Sequence, residues 1–296
     1  MAIVQNVEAF AVKQALSYLD KDPEKNLPKL LDWFDRFDWK DTLKTQRDII
    51  RNVVMEQDNN WHQLVMSLWT DIDPGVRNRI FENFIINGCL LGYQRQKENR
   101  EKYNCNIPWA ILLDPTSACN LKCTGCWAAE YGNHMNLTYE EMDSIVKQGV
   151  ELGTYVYLFT GGEPLVRKND IIRLCEEHPD CVFSTFTNGT LIDEAFAEEM
   201  LRVKNFVPAI SIEGFEEATD SRRGDGTYQK IIRAMNILKE RKLPFGISCC
   251  YTSANAEVIG SEAYFDQMIE MGAKFAWFFT YMPVGKGAVT ELMATA

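Results

Sequence analysis

Trp109-Ala-Ile-Leu-Leu113-Asp-Pro-Thr-Ser-Ala-Cys119-Asn-Leu-Lys-Cys123-Thr-Gly-Cys126-Trp127 is the stretch from which the rest of the chain is read. Its apolar opening, Trp109–Leu113, reads as a strand, and three cysteines follow it in a C-x3-C-x2-C spacing. A loop this short is expected to bring three thiolates to one point. A cubane iron–sulfur cluster is usually held by four cysteines, so three would leave one iron open. An open coordination position separates a working metal site from a sealed one. The pattern therefore points to a 4Fe–4S cluster on Cys119, Cys123 and Cys126 that binds a further group. Zinc is the rival reading. It would need a fourth ligand, for which His134, eight residues past Cys126, is the nearest candidate, whereas structural zinc modules more often show paired C-x2-C units.

Nine cysteines in 296 residues are too few for a disulfide scaffold, and an odd count leaves one unpaired. Met1-Ala-Ile-Val-Gln-Asn-Val-Glu8 lacks the basic start and apolar stretch of a signal peptide. A reducing, cytoplasmic setting is the expectation. The balance of 31 basic against 42 acidic residues gives −11, which disfavours nucleic acid, whose phosphates need neutralising. No apolar run approaches the about twenty residues that a membrane span requires.

The first hundred residues read as helices, and residues 1–105 are expected to form a small all-helical N-terminal domain. Asp22-Pro23-Glu24 is an N-cap with proline at the first helical position, and Leu27, Leu30, Leu31, Phe34 and Phe37 follow at helical spacing. Further helices are expected over Thr42–Met55 and Trp61–Trp69, and from Asp73-Pro74-Gly75 through Leu90. Gln94–Tyr103 is strongly charged, as an exposed helix end or linker would be. Four of the seven tryptophans (33, 39, 61 and 69) lie in this part, as a helical core would use them, or as helices that cover a barrel mouth or grip an apolar substrate would.

From residue 106 to 296 the pattern is strand, then helix, repeated. Strands are expected over 109–113, 155–160, 182–187, 207–212, 245–251 and 274–281. Helices fill the gaps, one of them opened by the capping box Thr138-Tyr-Glu-Glu141. Such alternation implies parallel βαβ units, hence an α/β partial (β/α)6 barrel. Val156-Tyr-Leu-Phe159 and Phe275-Ala-Trp-Phe-Phe279 read as buried on both faces, as parallel strands are. Function in such barrels sits at the C-terminal strand ends, which is where the three cysteines fall. The second strand ends in Gly161-Gly162-Glu163-Pro164. Its glycines would let a ligand approach the backbone, so valine there is expected to block that ligand while sparing a cluster. Cys249-Cys250 lies within strand five, one side chain inward and one outward, and His62 and His178 are expected at the surface.

Across roughly residues 107–285 these segments resemble the radical S-adenosylmethionine (SAM) superfamily. The resemblance implies that Cys119, Cys123 and Cys126 bind a 4Fe–4S cluster whose fourth iron is chelated by the methionyl group of SAM. It further implies that Gly161, Gly162, Glu163 and Pro164 meet the methionyl amino group, and that Thr187-Asn188-Gly189 forms the third-strand turn beside SAM. Ser211 and Glu213 would lie near the ribose, Arg223 of Asp220-Ser-Arg-Arg223 would meet the SAM carboxylate, and Tyr281–Gly285 would line the adenine by backbone. Many relatives carry an aromatic residue before the third cysteine. This chain has Gly125 there and Trp127 one residue later, so Trp127 either replaces that adenine contact or packs at the barrel top.

The family chemistry is reductive cleavage of SAM to a 5′-deoxyadenosyl radical, which takes hydrogen from a peptide, lipid or small-molecule substrate. An external donor of flavodoxin or ferredoxin type would supply the electron. The resemblance is to the branch whose relatives carry a C-terminal domain with auxiliary clusters, and this chain is expected to lack that extension. The alternative is a noncatalytic iron–sulfur electron carrier on the same fold, which would have no need of a SAM pocket.

Overall fold

The computed structural model describes residues 2–37, 48–52, 56–285 and 287–294. The chain divides into two compact units, Met1–Glu82 and Asn83–Ala296. In the first, helices span Ala2–Leu19, Pro23–Phe37, Asn60–Thr70 and Pro74–Phe81. The Asp73 carboxylate accepts the Val76 N–H at 3.0 Å, and Pro74 costs no hydrogen bond at the first helical position. Asp20 ties three side chains together, accepting from Arg77 Nη2 at 2.7 Å, Asn78 Nδ2 at 2.7 Å and Trp69 Nε1 at 3.1 Å. His62 is buried in the Asn60–Thr70 helix rather than exposed. Trp39 and most of the helix expected over Thr42–Met55 lie outside the described residues.

The second unit begins with a change of helical pitch. The α pattern expected through Leu90 gives way to a π-helix over Glu82–Gly92, and an α-helix then covers Tyr93–Tyr103. Asn83, fully buried on the wider helix, donates to the carbonyls of Pro179 and Cys181, both at 2.8 Å. Bonds of this kind join the helix to the turn that precedes the third strand.

Six strands follow: β1 Ala110–Thr116, β2 Val156–Gly161, β3 Val182–Thr187, β4 Phe206–Ser211, β5 Gly246–Tyr251 and β6 Ala276–Thr280. They form one parallel sheet in chain order, from β1 to β6. Helices Tyr139–Leu152, Lys168–Glu177, Glu194–Val203, Thr227–Glu240 and Glu262–Met271 alternate with the strands, and the result is a half-barrel. The capping box is formed, with the Glu141 N–H on Thr138 Oγ1 at 3.1 Å and the Thr138 N–H on Glu141 Oε2 at 2.7 Å.

Alternation along the strands divides the side chains between two faces. Tyr157, Phe159, Phe183 and Phe206 are buried almost completely, each burial contributing roughly 1.5–3 kcal/mol. Phe159 and Phe183 stack at 5.9 Å, and Phe206 meets Phe196 of the Glu194–Val203 helix at 5.8 Å. The Tyr157 hydroxyl donates to the carbonyls of Val146 and Thr154. The expectation of burial on both faces holds for Val156, Tyr157 and Phe159 of β2 but not for β6, all five of whose residues are exposed. β6 has one neighbour, β5, so its inward side chains Trp277 and Phe279 face an open mouth.

Candidate functional site

The C-terminal ends of β1 to β4 are cross-linked into one polar shelf. β1 loses register with β2 between Leu113 and Thr116. Pro115 sits at that irregularity, and its missing N–H is tolerated on an edge strand. The Cys loop that follows is pinned by its own backbone. The Gly162 N–H donates to the Thr116 carbonyl at 2.9 Å, and the Glu163 N–H to the Ala118 carbonyl at 2.8 Å. On the far side, the Thr124 N–H donates to the Arg222 carbonyl at 2.8 Å.

These bonds explain the two glycines differently from the sequence reading. A Cβ on Gly162 would lie 2.6 Å from the Ser117 carbonyl oxygen and nearer still to that of Ala118. Gly161 has φ +106°, and a Cβ there would lie 2.7 Å from the Thr116 oxygen. The close approach these glycines permit is that of the Cys loop itself. Cluster loop and Gly-Gly turn therefore form one object, and valine at Gly162 cannot spare the loop.

Glu163 is buried, and its carboxylate accepts from Leu165 N–H at 2.9 Å, Thr187 Oγ1 at 2.6 Å and Asn188 N–H at 2.7 Å. Burial raises its pKa and these three bonds oppose the rise. Its place is structural: it ties the end of β2 to the end of β3, while Pro164 opens the short 3-10 turn Pro164–Arg167. Asn188 Nδ2 donates to Asn120 Oδ1 at 2.8 Å, and Asn120 Nδ2 to Thr190 Oγ1 at 2.8 Å. Asn120 lies inside the Cys loop, so β3 also holds that loop.

Cys119 is exposed, and Cys123 and Cys126 are half-buried. Among the described residues no three His, Cys, Asp or Glu side chains converge tightly enough to hold a single metal ion, so the thiols do not meet at one point. A cubane offers a separate iron to each thiolate and does not require that they do. The Leu121 N–H points at Cys119 Sγ, 3.4 Å away, the kind of donor a cluster thiolate accepts. Burial pushes the Cys123 thiol up, and the nearby Arg223 and Arg222 guanidinium groups oppose that shift. The donor set and its cationic surroundings fit an iron–sulfur cluster.

Ser211 Oγ lies 3.0 Å from Ser248 Oγ. Glu213 is fully buried and faces arginines: Arg222 Nη1 and Arg223 Nη2 each donate to Oε1 at 2.6 Å, and Arg223 Nε donates to Oε2. Burial pushes the Glu213 pKa up, but Arg223 and Arg222 outweigh it and hold the carboxyl below the ordinary glutamate value of 4.5. A lowered folded pKa means stability that is present above the unfolded value and lost as pH falls through the folded one. Thermal unfolding followed from pH 7 into acid is expected to lose this contribution below about pH 4.5, and Glu213→Gln should flatten that limb. An unchanged acid limb in a folded Glu213→Gln protein would rule the coupling out.

A cavity of about 560 Å³ opens beside the Cys loop, with Asp114, Trp127, Tyr131, His134, Gly161 and Gly162 in its wall. Trp127 is half-exposed and meets Tyr131 edge-to-face at 6.0 Å. The roles of two residues escaped the sequence reading, which named Tyr281 only for its backbone. Asp114 points into this cavity, and burial raises its pKa. Tyr281 is buried, its hydroxyl accepts the Val289 N–H at 2.9 Å, and its ring stands over Gly125. A Cβ on Gly125, whose φ is +70°, would lie 2.6 Å from that hydroxyl. An aromatic from the end of β6 thus covers the place where the loop lacks one. The departure at Gly125 was the available signal. Of the other cysteines, Cys249 is fully buried and Cys250 half-buried, as alternation requires. His178 is not a surface group, since its Nε2 lies 2.8 Å from Asp143 Oδ1 with the side chain 10% exposed.

Residues 113–254 match the radical SAM superfamily. An Fe-coproporphyrin III synthase of Methanosarcina barkeri is 30% identical over 187 residues, covering 60% of this chain and 45% of that protein. A cysteine-type anaerobic sulfatase-maturating enzyme of Clostridium perfringens is 32% identical over 170 residues, covering 50% of this chain and 46% of its own. The solved structure of anSMEcpe with bound AdoMet and Kp18Cys peptide superposes with TM-score 0.53 at 27% identity, over 62% of this chain and 55% of that one. The chain spans about half the length of the curated relatives it matches. Residues 113–254 thus form a domain of the radical SAM superfamily.

Proposed function

We propose that this chain is a radical SAM enzyme whose Cys119, Cys123 and Cys126 hold a 4Fe–4S cluster and whose neighbouring cavity takes S-adenosylmethionine. The superfamily uses these two cofactors. The observation that carries the reading is the backbone pairing of the Cys loop with Gly162 and Glu163, which sets that loop beside a roomy, largely apolar cavity. When bound, such a cluster supplies the electron that reductively cleaves SAM, and with it the radical that takes hydrogen from substrate.

The chain's own residues bind and orient. Gly161, Gly162, Glu163 and Pro164 present backbone groups to the methionyl end, with Trp127 in the wall of the same cavity. Thr187 and Asn188 hold the third-strand turn, and Ser211, beside Ser248, faces the ribose. Arg223, with Nε and Nη2 on Glu213, keeps Nη1 for the methionyl carboxylate. Glu213 serves as the counter-ion of the arginines rather than as a ribose ligand. Substrate enters at the open face, where Phe186 meets Trp277 at 5.9 Å and Phe279 at 5.3 Å. That aromatic wall suits an apolar group of a peptide, lipid or small molecule; anSMEcpe binds a peptide. No helix among the described residues is long and apolar enough to cross a membrane. A donor of flavodoxin or ferredoxin type would supply the electron.

The test is cofactor turnover. The anaerobically reconstituted chain, given dithionite and SAM, is expected to release 5′-deoxyadenosine and methionine without substrate, read by chromatography against a Cys123→Ala control. A protein with full cluster content and bound SAM that yields no 5′-deoxyadenosine above control would favour the noncatalytic electron-carrier reading. Deuterated lipid and peptide fractions then identify the substrate class by which of them passes deuterium to the 5′-deoxyadenosine.

A further inference from the structure

Glu213 follows β4 by two residues and is fully buried, yet the fold gives this single carboxylate two cations. Arg222 and Arg223 are themselves largely removed from solvent, with side chains 14% and 10% exposed. Two guanidinium groups and one carboxylate sum to one net positive charge, and burial leaves that charge poorly screened by salt. The group is not remote from the cysteines. The helix Glu216–Arg223 ends against the Cys loop, where the Arg222 carbonyl accepts the N–H of Thr124, the residue after Cys123.

We propose that Glu213, Arg222 and Arg223 form a buried charged triad that sets the reduction potential of the cluster on the Cys loop. Glu213 is its positioning residue: it orients both guanidinium groups and cancels one of their two charges. The proposal rests on the reading that Cys119, Cys123 and Cys126 hold a 4Fe–4S cluster. One-electron reduction adds one negative charge to a cluster, so net positive charge alongside favours the reduced form, and local charge is one of the factors that set such potentials. Neutralising Glu213 leaves two positive charges and should raise the potential. Neutralising Arg222 leaves a neutral Arg223–Glu213 pair and should lower it. Opposite shifts from two members of one ion group are a signature that a merely structural role would not produce.

The experiment is a redox titration of the reconstituted chain, without SAM or substrate, followed by visible absorption and electron paramagnetic resonance. Wild type, Glu213→Gln, Arg222→Gln and the double variant are compared at equal iron content. At a fixed applied potential, Glu213→Gln is expected to raise the ratio of reduced to oxidised cluster about tenfold, equivalent to about 59 mV for one electron. Arg222→Gln should lower the ratio by a similar factor, and the double variant should return close to wild type. Shifts of the same sign, or none, in proteins with native iron content would overturn the proposal. If Glu213→Gln does not fold because two buried guanidinium groups lose their partner, Arg222→Gln decides alone, and an unchanged or raised potential overturns it. A wild-type chain that takes up no iron overturns the cluster reading and this proposal with it. A cluster that forms but ignores the triad overturns only the proposal.

Discussion

Alanine at Cys119, Cys123 or Cys126 is expected to abolish uptake of the about four irons per chain that a cubane contains. The three thiols stand on one loop held in place by β2, β3 and the Glu216–Arg223 helix, and loss of one ligand leaves a second iron without protein attachment. Cys249→Ala serves as the control. Its thiol is fully buried in β5, and burial raises its pKa to about 12, which makes it a poor source of thiolate. That variant should lose about 1 kcal/mol of stability from the smaller side chain and keep its iron. Iron and labile sulfide analysis after anaerobic reconstitution reads the difference. Equal iron loss in Cys249→Ala would place a ligand in β5 and sink the three-cysteine assignment.

Gly162→Val is expected to lose cluster uptake and SAM binding together. The new Cβ meets the carbonyl oxygens of Ser117 and Ala118, which are backbone atoms and cannot rotate away as a side chain tip could. The loop must shift, breaking the bonds from Gly162 to Thr116 and from Glu163 to Ala118. Overpacking of this kind costs about 1–3 kcal/mol, and the displacement falls next to Cys119. Iron content, SAM calorimetry and thermal unfolding separate the outcomes. A variant with full iron content and no SAM binding would mean that the loop yields freely and that the glycines serve the ligand alone.

Periodicity and spacing made most of the barrel legible. β3 spans Val182–Thr187, as its alternation implies, and Tyr139–Leu152 begins at the capping box visible in Thr138 and Glu141. Such elements are set by residues a few positions apart. What sequence could not supply were pairings between distant residues and the consequences of an edge. The Phe275–Phe279 run reads as a buried strand because composition does not reveal whether a seventh neighbour exists, and β6 has none among the described residues. The π-helix at Glu82–Gly92 follows the same logic, since Asn83 bonds carbonyls near residue 180. In the site, the cysteine spacing and Gly-Gly-Glu-Pro were readable as motifs. That Gly162 serves Ala118, that Glu213 serves two arginines and that Tyr281 covers Gly125 are long-range facts.

The order of partners along the chain also has a consequence in time. Arg222 follows Cys126 by 96 residues, which at about 5–20 residues per second of synthesis is roughly 5–20 s. During that interval the three thiols have left the peptidyl-transferase centre while the carbonyl that anchors Thr124 does not yet exist, and Tyr281 comes later still. A nascent chain in this state exposes an unshaped, oxidisable CxxxCxxC segment. Iron delivery is therefore expected to wait until the segments that carry Arg222 and Tyr281 have been made, and the cell must keep these sulfurs reduced until that scaffold orients them.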